Sequence, residues 1–181
     1  MCIPTRCLYG LAVDAFNPAA VDRVFKIKQR PVQKPLLVLI NKIEQLDRIV
    51  AHVPATAFSI MEKFWPGNVT LVCEARKNLP DGLTAGTGKI GVRQPAQPVA
   101  VDLAAAVQGP ITGTSANLSG KAGCFRIVDL DPAIIDQIDL ALDAGPLKGG
   151  VGSTVVDVTG DYPRVIREGG ISTEEISACI N

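Results

Sequence analysis

Phe25–Ile40, FKIKQRPVQKPLLVLI, carries the change from helix to strand on which the fold turns. Lys26, Lys28, Arg30 and Lys34 fall within nine residues, punctuated by Pro31 and Pro35. Pro31 disfavours helical geometry at Arg30, so a helix entering this stretch is predicted to end there. Lys28 and Arg30 then stand at a helix terminus, where side chains can converge instead of fanning round a cylinder. Such a cluster suits an anionic ligand such as a polyphosphate. It also suits a solvated helix end whose cations complement the negative end of the dipole. These residues alone do not separate the two.

Outward from this stretch, Asn17-Pro18 supplies an N-cap and a first-turn proline. Val21, Val24, Phe25 and Lys28 follow at helical spacing, so Lys28 continues the inner face. Leu36–Ile40 reads as a buried strand. Glu44–His52 and Pro54–Phe64 read as helical, the second stopped by Trp65-Pro66-Gly67. Strands are expected at Asn68–Ala75, Lys89–Arg93, Ile111–Thr114, Leu140–Asp143, Ser153–Val158 and Arg164–Glu168. Helices are expected at Pro98–Gln108 and around Asp131–Ile138, with loops at Asn78–Gly88 and Pro146–Gly152. A capping box, Ser172-Thr173-Glu174-Glu175, opens a last short helix. At the other end, Met1-Cys2-Ile3 reads as the close of a strand whose beginning is absent, followed by a turn, PTRCLYG. The expectation is one α/β domain over 1–181, a mixed twisted sheet flanked by helices.

Apolar residues make up 47% of the 181-residue chain and charged ones 20%, which excludes a disordered chain and allows a substantial core. Eighteen basic against eighteen acidic residues leave no net charge, so any anion site must be a local concentration of cations. The five cysteines are odd in number and lack CxxC spacing, which argues against a disulfide framework or a zinc site and fits a reducing cytosol. No apolar run approaches the ~20 residues of a membrane span, and no signal peptide is visible. A cytoplasmic protein is expected.

Two glycine clusters fail as phosphate-binding fingerprints. Gly86-Thr87-Gly88-Lys89 has Leu83 where the first glycine belongs and Ile90 where a magnesium-binding hydroxyl belongs. Gly149-Gly150-Val151-Gly152 leads into a strand and not a helix. Both read as loops, one or both bordering a ligand. The single histidine, His52, lies away from the other polar clusters, so Ser-His-Asp chemistry is not expected. What remains is a set of cations and small polar residues at strand ends: Lys28, Arg30, Lys34, Arg93, Ser115, Asn117, Ser153 and Arg167. Singly, these are surface ion pairs and turn-formers. Jointly they describe a pocket with many donors and no evident base, which suits phosphoryl or nucleotidyl transfer.

At this point the chain resembles the YrdC-like threonylcarbamoyl-AMP synthases, also called TsaC. The matching elements run in order: PT-x-x-x-YGL from Pro4, Lys28-Gln29-Arg30 with Lys34-Pro35-Leu36, WPG at 65–67, GVR at 91–93, TSANLSG at 114–120, GSTVVD at 152–157 and IREG at 166–169. The resemblance implies that L-threonine and bicarbonate form a carbamate which attacks the α-phosphorus of ATP, giving threonylcarbamoyl-AMP and pyrophosphate. A separate transferase complex would then use that adenylate to modify transfer RNA. By the family's pattern, Lys28, Arg30, Lys34, Ser115, Asn117, Ser153 and Arg167 would hold ATP, with Lys28 and Arg30 foremost in catalysis. Cys7, Tyr9, Arg93 and Ser115 would hold threonine. Mg2+ would bridge phosphate oxygens with few protein ligands and no dedicated metal site.

The chain departs from the family at Arg6 and Cys7, which replace an acidic residue and a hydroxyl, and at Lys89, where Ser or Thr is usual. A helix and strand before the PT turn are expected to be missing, as is the extra C-terminal domain of longer relatives. Two other readings stay open. One is a module that binds RNA, transfer or double-stranded, in ribosome maturation, against which stand zero net charge and only eight aromatics. The other is a paralogue that binds nucleotide without making product.

Overall fold

A computed structural model describes residues 1–180. Nine strands form one mixed sheet. They are β1 (Cys2–Pro4), β2 (Tyr9–Leu11), β3 (Leu37–Leu39), β4 (Val50–His52), β5 (Val69–Ala75), β6 (Lys89–Arg93), β7 (Ile111–Ser115), β8 (Thr154–Asp157) and β9 (Arg164–Arg167). Their spatial order is β1-β2-β7-β3-β6-β5-β8-β9, with β4 also pairing to β5. β3 runs parallel to β6 and β5 to β8; the remaining pairings are antiparallel. Six helices accompany the sheet: α1 (Pro18–Lys28), α2 (Ala55–Phe64), α3 (Asp81–Thr84), α4 (Pro98–Ala106), α5 (Pro132–Ile135) and α6 (Thr173–Ser177). No helix among the described residues is long and apolar enough to cross a membrane.

The period of two along the central strands allots the two faces of the sheet. Val69, Leu71 and Cys73 of β5, Ile90 and Val92 of β6 and Val156 of β8 enter the main core, where Val21, Val24, Phe25 and Ile27 of α1 and Ala57, Ile60 and Met61 of α2 meet them. Their neighbours Thr70, Val72, Lys89, Gly91, Arg93, Val155 and Asp157 point the other way, into a cavity. Only one end of that second face is covered, by Ala100 and Ala104 of α4 packed with Leu39 and Ile111. Register is firmly set. Slipping β6 by one residue would strip Ile90 and Val92 from the core at about 1.5–3 kcal/mol each and drive Lys89 and Arg93 into it. Together these rival the whole ~5–15 kcal/mol of a domain's stability.

Helix α1 begins as its sequence dictates, with Asn17 Oδ1 accepting from the Ala20 amide at 3.1 Å and Pro18 in the first turn. It ends at Lys28, one residue before Gln29 takes the left-handed conformation (φ 48°, ψ 44°). Three local expectations are corrected. Glu44–His52 is not one helix: a 3-10 turn at Ile43–Arg48 is followed by β4, because the backbone of Val50–His52 finds ladder partners on β5. Leu140–Asp143 forms a single bridge, Ala141 to Cys2, instead of a strand. The loop Asn78–Gly88 contains α3, whose Leu83 is buried under the main core.

Candidate active site

The uncovered half of the sheet floors a cavity of about 590 Å3. Its walls come from distant parts of the chain: Thr5–Gly10, Arg30 with Pro35 and Leu36, Thr114 and Ser115, Val151–Ser153, and Ile166 with Arg167. Both glycine clusters border it, through Thr87 and Lys89 on one side and Val151 and Gly152 on the other. Close backbone approach shapes the β8–β9 wall. A Cβ on Gly169 would lie 2.4 Å from Gly152 O, so only glycine lets the IREG segment settle against residues 152–154. That contact brings Arg167 Nη2 to 2.8 Å from Ser153 O and 3.3 Å from Ser153 Oγ. Ser153 Oγ in turn shares a 2.8 Å hydrogen bond with Thr70 Oγ1 on the floor.

Charge within the cavity is one-sided. Arg6, Arg30, Lys89, Arg93 and Arg167 line it against a single carboxylate, Asp157. That carboxylate is already engaged, 2.9 Å from Lys89 Nζ and 2.6 Å from Thr159 Oγ1. Burial alone would raise its pKa, but the Thr159 hydroxyl and amide and the Lys89 ammonium outweigh burial and hold it below the usual carboxylate value. Four guanidiniums are left without a carboxylate partner among the described residues. Arg93 is the most telling of them. It ends β6 deep in the cavity, and its Nε is buried without any acceptor. Burial, together with the nearby cations Arg167 and Arg6, pushes its pKa down to about 10. A cation set so deep without a counter-charge is a site waiting for an anion.

Seven of the ten residues singled out in the sequence line this cavity: Cys7, Tyr9, Arg30, Arg93, Ser115, Ser153 and Arg167. Lys28, Lys34 and Asn117 do not. The Lys28 ammonium donates to the carbonyls of Ser115 and Asn117, the latter at 2.7 Å, and the side chain is 1% exposed. Lys34 stands in solvent, and only its backbone carbonyl is used, accepting from Arg30 Nε at 3.0 Å. The Asn117 amide braces its own turn, donating to Leu118 O and Lys121 O at 2.8 and 2.7 Å. Tyr9 borders the cavity but is fully buried in the main core, and its hydroxyl is turned to Asp143 Oδ1 at 3.0 Å and Gly145 O at 2.8 Å. Thr70 and Asp157 are lining residues that sequence reasoning did not place there, whereas Arg6, noted as a departure in the turn expected beside threonine, lines it too. For Thr70 and Asp157 a signal existed, since strict alternation in β5 and β8 puts both on the face opposite the core.

A cationic hollow on an open sheet face, edged by hydroxyls and with no histidine among its lining residues, defines an α/β protein whose cavity offers several cations to an anionic ligand. The chain belongs to the Sua5/YciO/YrdC family: the model of that family, described as telomere recombination, matches residues 1–169. Among its relatives is the threonylcarbamoyl-AMP synthase of Pyrococcus abyssi, 36% identical over 98% of this chain and 52% of that protein. Another is the threonylcarbamoyl-AMP synthase of Bacillus subtilis, 36% identical over 98% of this chain and 51% of its own length. The chain thus spans about half the length of these two relatives. The crystal structure of P. abyssi Sua5 complexed with L-threonine superimposes with a TM-score of 0.94 at 35% identity, over 99% of this chain and 53% of that one.

Proposed function

We propose that this chain condenses L-threonine, bicarbonate and ATP into L-threonylcarbamoyl-AMP and pyrophosphate. The observation that carries the reading is Arg93, a half-buried guanidinium whose buried Nε has no acceptor, with the cations Arg6 and Arg167 nearby in the one-sided cavity. A planar fork at that depth suits the carboxylate of an amino acid, and the likeness to a threonine-bound structure points to threonine. Cys7 and Tyr9 border the same cavity. Arg30, Arg167, Ser115 and Ser153 face the phosphates.

The threonine amine adds to bicarbonate with loss of water, leaving a carbamate. A carbamate oxygen attacks the α-phosphorus; the bond from that phosphorus to the bridging oxygen breaks, and pyrophosphate leaves with the electron pair. The nucleophile is the carbamate itself, so the protein needs no activated side chain. Its task is to hold two anions together and offset the charge that grows on the phosphoryl oxygens and leaving group. Among the described residues no group of three or more His, Cys, Asp or Glu side chains could hold a metal. Asp157 is the one carboxylate lining the cavity; magnesium arriving with the nucleotide would supply charge neutralisation at the phosphates, which the cavity's cations would share. The adenylate is then consumed by a transferase that modifies transfer RNA in the cytosol.

The test incubates the purified protein with ATP, magnesium, threonine and labelled bicarbonate. Pyrophosphate release that needs both threonine and bicarbonate, and that Arg30→Ala abolishes, is expected. Nucleotide binding without release would establish the inert paralogue instead, and tight RNA binding without ATP affinity the RNA-binding module.

A further inference from the structure

Lys28 and Arg30 stand two residues apart, yet the chain sends them to different places. Gln29 between them is left-handed, so the backbone reverses its winding there. Arg30 leaves on the cavity side, its Nε and Nη2 donating to Lys34 O and Pro35 O at 3.0 Å each. Lys28 points inward, beneath the turn that carries Ser115 and Asn117. The attachment is reciprocal: the Ser119 amide donates to Lys28 O at 2.8 Å. Three hydrogen bonds thus join the end of α1 to the TSANLSG turn, and Ser115 reaches the cavity from the turn they hold.

We propose that Lys28 is a positioning residue, fixing the 114–120 turn from behind so that Ser115 faces the nucleotide, while Arg30 alone of the pair touches phosphate. This rests on the synthase reading above. For Lys28 to reach a phosphate it would have to release two carbonyls, and the bond to Asn117 O is fully buried, so the acceptor would be stranded away from water. Burial and then Arg30 push the Lys28 pKa down to about 8. A neutral amine still carries two N–H groups, one for each carbonyl, so the attachment persists on both sides of that value.

The experiment compares Lys28→Met with Arg30→Met, using inorganic pyrophosphate as the probe in calorimetry and pyrophosphate release as the activity. Arg30→Met is expected to weaken pyrophosphate binding tenfold or more. Lys28→Met should leave it within threefold, yet lower kcat, and adding Ser115→Ala to Lys28→Met should slow the enzyme no further. Loss of pyrophosphate affinity in Lys28→Met equal to that in Arg30→Met would overturn the proposal, as would independent, multiplying effects of Lys28→Met and Ser115→Ala. Should Lys28→Met fail to fold, the unaltered protein serves. A lysine acylating reagent should modify Lys28 at the same slow rate with and without pyrophosphate, whereas protection would refute the assignment. If the unaltered protein binds no pyrophosphate and releases none, the synthase reading itself fails and takes this assignment with it.

Discussion

Replacing Arg93 with methionine should make the protein more stable and less able to bind. The guanidinium is half-buried near two other cations and lacks a counter-ion, and its pKa falls from 12.5 to about 10. At ~1.36 kcal/mol per pH unit, holding the charge in place costs the fold on the order of 3 kcal/mol. Local relaxation and water entering the cavity reduce that to about 1–3 kcal/mol. Folded and unfolded chains are both protonated at neutral pH, so the deficit is constant there and shrinks only above about pH 10. Methionine keeps the aliphatic bulk and removes the charge. For a chain of this length ~1 kcal/mol shifts Tm by about 2–4 °C, so the ligand-free variant should melt about 2–12 °C higher. The same change would remove the charge-assisted hydrogen bond proposed to threonine, worth about 1.5–3 kcal/mol, or roughly a 10- to 150-fold loss of affinity. Scanning calorimetry without ligand and threonine titration read the two effects. Arg93→Lys, which keeps charge but not the planar fork, should leave Tm low while binding still weakens. A variant Arg93→Met that melts no higher than the parent and binds threonine equally well would refute the idea that Arg93 is an unsatisfied cation kept for a ligand.

Tyr9→Phe removes a hydroxyl that donates to Asp143 and Gly145 and accepts from the Ala144 amide at 2.9 Å. It should cost about 1–3 kcal/mol in urea unfolding while threonine affinity changes less than about threefold, since the hydroxyl engages residues 143–145, which do not line the cavity. Lys89→Met removes one of the groups holding Asp157 below its ordinary pKa. Stability from such a carboxylate is present above about pH 4 and is lost as pH falls through its folded pKa. Any deficit of the variant at pH 7 should therefore close as unfolding is measured at progressively lower pH. A gap that widened on acidification would contradict the pairing.

The short strand expected at Lys89–Arg93 is β6, and Asn17-Pro18 with Pro31 marked both ends of α1. Those signals are local and strong. β4 was hidden because Val50–His52 is too short to carry a pattern, and its identity comes from a partner some twenty residues downstream. In the site, the clustering of cations at 26–34 was legible, but their division of labour was not. Whether Lys28 or Arg30 faces the cavity depends on the φ of Gln29, which no side-chain pattern encodes.

Because ligand groups and core groups alternate along the same strands, this architecture separates two kinds of inherited change. Point substitutions at Lys89 or Val155 can retune what the hollow accepts while the core-facing residues of the same strands stay in place. A one-codon deletion in β6 or β5 has no such freedom: it would exchange the two sets wholesale. Descendants of this sheet are therefore free to diversify chemically by replacement, while the lengths of its central strands stay frozen.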